Sequence, residues 1–157
     1  MELSRNLTIE SVARLDPTAP RAIPAGCSVE EAVAMLREHR VGCLLVTESG
    51  RLVGIFTERD LLTRVLAAGL PLGTPLRKVM TADPVSVGLR EPIRQAIRWM
   101  QGGGYRHLPV VDDERRPVGI LSAKRVIRYI ADHFPHVVYT LPPGGPGGTS
   151  PAAREGA

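Results

Sequence analysis

The residues best placed to do chemistry are a threonine and an aspartate three apart, Thr57 and Asp60, in the stretch Gly54-Ile-Phe-Thr-Glu-Arg-Asp60. A carboxylate can accept hydrogen bonds from two adjacent hydroxyls, and a hydroxyl at a helix N-terminus lies among free N–H groups that favour anions. The same spacing is that of an N-terminal helix cap, with Asp in place of Glu. Both readings can hold, because a cap fixes the geometry that a ligand then uses. A related stretch, Gly119-Ile-Leu-Ser-Ala-Lys-Arg125, keeps the hydroxyl at Ser122 but ends in Arg125, which has donors and no acceptor. Arg106, His107 and Lys124 add positive charge, Arg as a fork of donors and Lys as a point charge. Each also reads as a solvated surface charge, or for His107 as a strand-face packing residue.

Other reactive residues carry less. Cys27 and Cys43 flank a helical pattern without metal-ligand spacing and read as small buried hydrophobes in a reducing compartment. His39, His107, His133 and His136 form no metal-ligand set with them. Gly102-Gly-Gly104 follows a helix rather than a strand and reads as a helix stop. Neither a Gly-x-Ser-x-Gly elbow nor a Walker loop is present. The expectation is no catalytic residue, no metal site, no tightly bound cofactor and no enzymatic activity.

The elements that position these residues come in two copies. Ser28-Val-Glu-Glu31 reads as a capping box opening a helix whose buried face is Val29, Ala32, Val33 and Leu36. Sixty-four residues later Ile93, Ala96, Ile97 and Met100 repeat that spacing, with Pro92 at the helix start. Each helix leads to an apolar run, Cys43-Leu-Leu-Val46 or Leu108-Pro-Val-Val111, then a turn and a second strand, Leu52–Phe56 or Pro117–Leu121. Leu61, Leu62 and Val65 then match Val126, Ile127 and Ile130 on a final helix. A short leading strand is expected near Ala22-Ile23 and again over Val85-Ser-Val87. One such half is too small to bury both faces of its sheet, so two halves packed sheet to sheet are expected, with Leu70 to Thr81 as connector.

Composition bounds the rest. The chain has 157 residues, of which 43% are hydrophobic and only 4% aromatic, so the core is aliphatic and stacking platforms for single-stranded nucleic acid are unsupported. The net charge of +4 is dispersed, and a nucleic-acid partner rests only on the basic pI near 9.6. The N-terminus lacks a signal-peptide pattern and no apolar stretch reaches membrane-span length, so a cytoplasmic protein is the expectation. Pro142 to Gly148 are all Pro or Gly, which predicts a disordered tail.

This repeat, with Gly54–Asp60, Val79-Met-Thr81 and Tyr105-Arg-His-Leu-Pro-Val-Val-Asp112, resembles the CBS-domain family, and the pairing resembles a Bateman module. The resemblance covers roughly residues 15 to 134. It implies an α+β (α/β) fold of tandem β-α-β-β-α motifs packed as a pseudo-two-fold pair through their sheets. The bounds it suggests are an N-terminal extension over 1–14, a first motif over 15–70, a second over 71–134 with a linker at 71–81, and a tail over 135–157.

For the site, the resemblance implies that Asp60 accepts from both ribose hydroxyls of an adenine nucleotide while Thr57 helps hold the sugar or phosphate. Arg125 cannot take that role, so one nucleoside site per chain is implied. The phosphate end would point toward the second repeat, where Ser122, Arg106, His107 and Lys124 lie. The base would sit near Ile23, Pro24 and Val41-Gly42-Cys43, read largely by backbone groups. AMP, ADP or ATP is the implied ligand, with S-adenosylmethionine possible. Family habit also implies a homodimer through apolar positions such as Leu62, Leu66 and Tyr129, and a regulated partner protein. The competing reading is a protein-interaction module whose cleft is vestigial.

Overall fold

In the computed structural model, residues 2–135 are described. His136 and the Pro/Gly-rich tail lie outside the described residues. Helix α1 (Glu2–Ile9) and a 3-10 turn at Val12–Leu15 precede the first repeat, which consists of β1 (Ala22–Pro24), α2 (Val29–His39), β2 (Cys43–Glu48), β3 (Arg51–Thr57) and the one-turn α3 (Glu58–Asp60). A 3-10 turn at Leu76–Lys78 and the short strand β4 (Thr81–Ala82) follow. The second repeat supplies α4 (Ile93–Gly103), β5 (His107–Val111), β6 (Pro117–Ser122) and α5 (Ala123–His133). No helix among the described residues is long and apolar enough to cross a membrane.

Local sequence explains most boundaries. The Ser28 hydroxyl accepts from Glu31 N at 3.2 Å while the Glu31 carboxylate accepts from Ser28 N at 2.7 Å, the reciprocal cap that starts α2. Gly104, at φ 66°, stops α4 in the left-handed conformation that glycine tolerates. Ser49 and Gly50 both have positive φ, the two-residue turn whose twist suits the β2–β3 hairpin. The strand expected over Val85–Val87 reduces to one parallel bridge, Val87 with Val110.

The final helix of the first repeat is less regular than its sequence pattern predicts. Past α3 the chain runs through a π-helical stretch, Leu61–Leu66, in which Ala67 N donates to Leu62 O, five residues back, at 2.9 Å. Thr63 donates its hydroxyl to Arg59 O at 2.8 Å, a side-chain bond that competes with regular helical pairing.

Alternation along β2 and β3 separates two faces. Leu44, Val46 and Phe56 pack under α2 with Val29, Ala32 and Leu36. Cys43, Leu45, Leu52 and Ile55 point the other way and meet Ile120 and Val111 of the second hairpin. The sheets therefore pack on each other and the helices lie outside. Tyr129, which the sequence suggests as a dimer contact, is only 7% exposed: it shares the buried helix face with Val126 and stacks on His133 at 4.2 Å between ring centroids. Ile127, 65% exposed, is the apolar residue that α5 leaves at the surface.

The segments preceding each repeat are part of the cores. Leu76, Val79 and Met80, within the stretch read as a linker, are buried in the first core. Val12 and Leu15, from the segment ahead of the first repeat, are buried in the second. Thr81 and Ala82 pair with Ile55 and Gly54 of β3, and Thr18 pairs with Ile120 of β6 by bonds of 2.9 and 3.0 Å. Each repeat is thus closed by the segment that leads into the other one.

These crossings explain the two motif glycines. A Cβ on Gly54 would overlap the Met80 side chain and lie 3.1 Å from Thr81 O, and one on Gly119 would lie 3.0 Å from Pro17 Cβ and 3.2 Å from Thr18 O. Gly54→Ala is expected to destabilise by about 1–3 kcal/mol through displacement of β4, measurable as a lower urea midpoint. A change below about 0.5 kcal/mol would show that the crossing yields freely.

Candidate functional site

Thr57 ends β3 in extended conformation, and α3 starts at once, so its side chain stands at a helix start. Its Oγ1 accepts from Asp60 N at 3.1 Å, and Asp60 Oδ2 accepts from Thr57 N at 3.0 Å. The cap anticipated from the spacing is therefore present. Asp60 is 7% exposed and is the only charged residue buried among those described. A buried carboxylate is tolerated only when it is paired and hydrogen-bonded. Here Thr81 Oγ1 donates to Oδ1 at 3.2 Å, and Arg64 Nε lies 3.4 Å from the same oxygen. Arg64 Nη1 also donates to Met80 O at 2.8 Å, tying the carboxylate to the crossing segment.

Thr81 and Arg64 are the members of this cluster that sequence reasoning did not select. Arg64 was findable, since residues four apart on a helix face each other. Thr81 is 21 residues from Asp60 and only the crossing of β4 brings it there.

Gly42 and Cys43 adjoin the cluster: Glu58 N donates to Gly42 O at 3.0 Å and Cys43 is the strand partner of Thr57. Val41 is half-buried beside them and packs on the first core. Burial, with a smaller contribution from the Glu58 carboxylate, pushes the Cys43 thiol up to about 11, so it stays protonated and a poor nucleophile. Ile23 and Pro24, the residues expected beside the base, stand two strands from β3. They lie on β1, which β2 separates from β3; Ile23 pairs with Val46 and is buried in the core. The edge beside Asp60 belongs to β4 instead.

The second repeat builds the equivalent corner with different chemistry. Ser122 Oγ accepts from Arg125 N at 3.2 Å, His107 is the strand partner of Ser122, and Ala123 N donates to Arg106 O at 2.9 Å. Arg106, His107 and Lys124 therefore gather at the start of α5. Burial above all, then the nearby Arg106 and Lys124 charges, lowers the His107 pKa from its ordinary value. Arg125 extends toward Asp16, 3.8 Å away, an ion pair weakened by the high exposure of that aspartate. A cleft of about 480 Å³ lined by Gly88, Arg90, Asp112 and Val118 lies at the turn end of this hairpin, away from both corners.

One corner can thus accept from hydroxyls and the other can hold an anion. No cluster of histidine, cysteine and carboxylate suited to a metal occurs among the described residues.

Known proteins share this plan. The family model of the CBS domain matches residues 9–67 and 76–132. A 17.7 kDa protein of Acidianus ambivalens is 30% identical over 122 residues, 77% of this chain and 73% of that protein. A CBS domain-containing protein of Arabidopsis thaliana is 39% identical over 105 residues, which are 66% of this chain but only 19% of that longer relative. Among solved structures, a CBS domain protein of Pyrobaculum aerophilum complexed with AMP is similar with a TM-score of 0.70 and 27% identity, covering 80% of this chain and 98% of that one. A CBS domain pair in complex with 5′-methylthioadenosine and S-adenosyl-L-methionine is similar with a TM-score of 0.71, 27% identity and the same coverage.

Proposed function

The chain belongs to the CBS-domain family, and from that premise we propose that it is a non-enzymatic regulatory module binding one adenine nucleotide in a cleft centred on Asp60. The observation that carries this reading is the asymmetry of the two corners: a buried acceptor, Asp60, in the first repeat and a donor, Arg125, in the second. Ribose hydroxyls would take the place of Thr81 and Arg64 on the carboxylate, while the Thr57 cap stays. The phosphate would lie toward Arg106, His107, Lys124 and Ser122, and the base beside Val41, Gly42 and Cys43. AMP, ADP and ATP fit this chemistry; the relatives solved with AMP and with S-adenosyl-L-methionine support the same class. Occupancy would be signalled to a regulated protein, and the module would act as a homodimer.

The test is a thermal-shift panel of AMP, ADP, ATP, S-adenosylmethionine and NAD on nucleotide-stripped protein. A ligand at a hundred times its Kd stabilises the fold by about 2.7 kcal/mol, well within detection. A second reading, a docking module with a vestigial cleft, is favoured by one observation: Asp60 is already satisfied within the chain. It expects no shift with any of the five.

His107 gives the nucleotide reading a pH signature. Without ligand, its pKa is depressed in the folded state, so this contribution to stability is complete above the ordinary histidine value and is lost as pH falls through the folded one. A bound phosphate favours the imidazolium, so affinity moves the opposite way and rises on acidification. AMP titrations of wild type and His107→Gln between pH 8 and 6 should show a steeper gain for the wild type. Parallel curves would remove His107 from the phosphate end.

A further inference from the structure

Three glycines stand in succession at the end of α4, and two of them have local reasons. Gly104 takes the left-handed turn that stops the helix, and a Cβ on Gly103 would overlap the Tyr105 ring. Gly102 has no such reason, since a Cβ there would meet nothing within 4 Å. Glycine inside a helix costs about 1 kcal/mol against alanine, so another cause is needed. Gly102 lines a groove of about 440 Å³ between α4 and Val85, walled by Trp99 and Tyr105.

Both rings are 41% exposed. The groove is also rich in donors: Trp99, Tyr105, Arg98 and Gln95 line it, and each side chain carries an N–H or O–H. None of these side chains makes a hydrogen bond or ion pair among the described residues. Aromatic walls with unpaired donors suit a guest that offers ring faces and carbonyls but few N–H groups. Proline-rich extended segments are such guests, and they dock in aromatic-lined grooves. Residues 142–148 of this chain are all Pro or Gly, and present seven carbonyls against four N–H groups.

We propose that this segment, through Pro142, Pro143 and Pro146, docks in the Trp99–Tyr105 groove of its own chain. The chain is long enough to reach it. Helix α5 starts beside the end of α4, where Ala123 N donates to Arg106 O at 2.9 Å. Its 11 residues carry the chain about 16 Å away. Residues 136–141 span about 20 Å when extended, enough to return Pro142 to the groove. Tethering holds the segment at an effective concentration of about millimolar, which favours it over a second, dilute chain. A helix or strand of a second copy also suits the donors poorly, because its carbonyls are already paired.

Trp99 is the sole tryptophan of the chain, so its emission reports on the groove alone. In the full chain, Pro142→Ala, Pro143→Ala and Pro146→Ala together should shift that emission to the red and increase its quenching by iodide. A peptide of residues 139–150, added to this variant, should reverse both changes saturably, and the same peptide carrying the three substitutions should not. Gly102→Leu, which fills the groove, should make the emission insensitive to the proline substitutions. Identical emission and quenching in the wild type and the triple variant overturn the proposal. So does emission that moves to the blue in both chains as protein concentration rises, which marks a second copy in the groove.

Discussion

Asp60→Ala should weaken AMP binding roughly a hundredfold while the protein still folds. The carboxylate offers acceptors to two ribose hydroxyls, and hydrogen bonds to a charged group contribute about 1.5–3 kcal/mol each. In the ligand-free protein those acceptors already serve Thr81 and Arg64, so binding exchanges partners and returns only part of that sum. About 2–3 kcal/mol remains, which is the hundredfold change. Losing the cap costs a further contribution of about 1 kcal/mol to the fold, because Thr57 N then lacks its acceptor. Asp60→Asn separates the two effects: it keeps one oxygen for the cap but offers the sugar fewer acceptors. Calorimetry with AMP on both variants, with circular dichroism to verify folding, provides the measurement. Wild-type affinity in Asp60→Ala would remove the ribose contact.

Leu76→Ala and Leu15→Ala should each destabilise the protein by about 2–5 kcal/mol, as much as truncating a leucine in a sheet interior. Both residues lie outside the repeated β-α-β-β-α pattern, one in the stretch between the repeats and one ahead of the first. A surface connector or a loose extension would expect changes within about 0.5 kcal/mol. The structure places Leu76 at 0% exposure in the first core and Leu15 at 3% in the second. Leu70→Ala, at a residue 40% exposed in the same stretch as Leu76, is the matched control. Urea unfolding of the three variants distinguishes the alternatives, because only buried leucines leave a cavity.

What the sequence made legible was local. The capping box at Ser28, the proline start and glycine stop of α4, and the alternating hairpins all depend on neighbours within a few residues, and all formed as read. The internal repeat then supplied the pairing of sheets. Contacts set by distant segments were not legible: nothing near Thr81 signals that it will meet Asp60, and Val12 and Leu15 belong to no periodic pattern. Tyr129 was misjudged for a different reason. Its ring is amphipathic, and only the phase of α5 against Val126 decides that it faces inward.

The pairing of Thr18 with Ile120 also has a kinetic side. The hydroxyl of Thr18 donates to a carbonyl 102 residues further along the chain. Contacts of such sequence separation form late, because the closure of a long loop must precede them. During synthesis the first repeat can pack on Leu76 and Val79 as soon as that stretch leaves the ribosome, whereas Val12 and Leu15 must wait for β6 and α5. The segment carrying Val12 and Leu15 is made before the second core that it joins, and it is among the last to find its place. Until it does, the second core is open, and an apolar strip stays exposed for chaperones or for misassembly with a neighbouring chain.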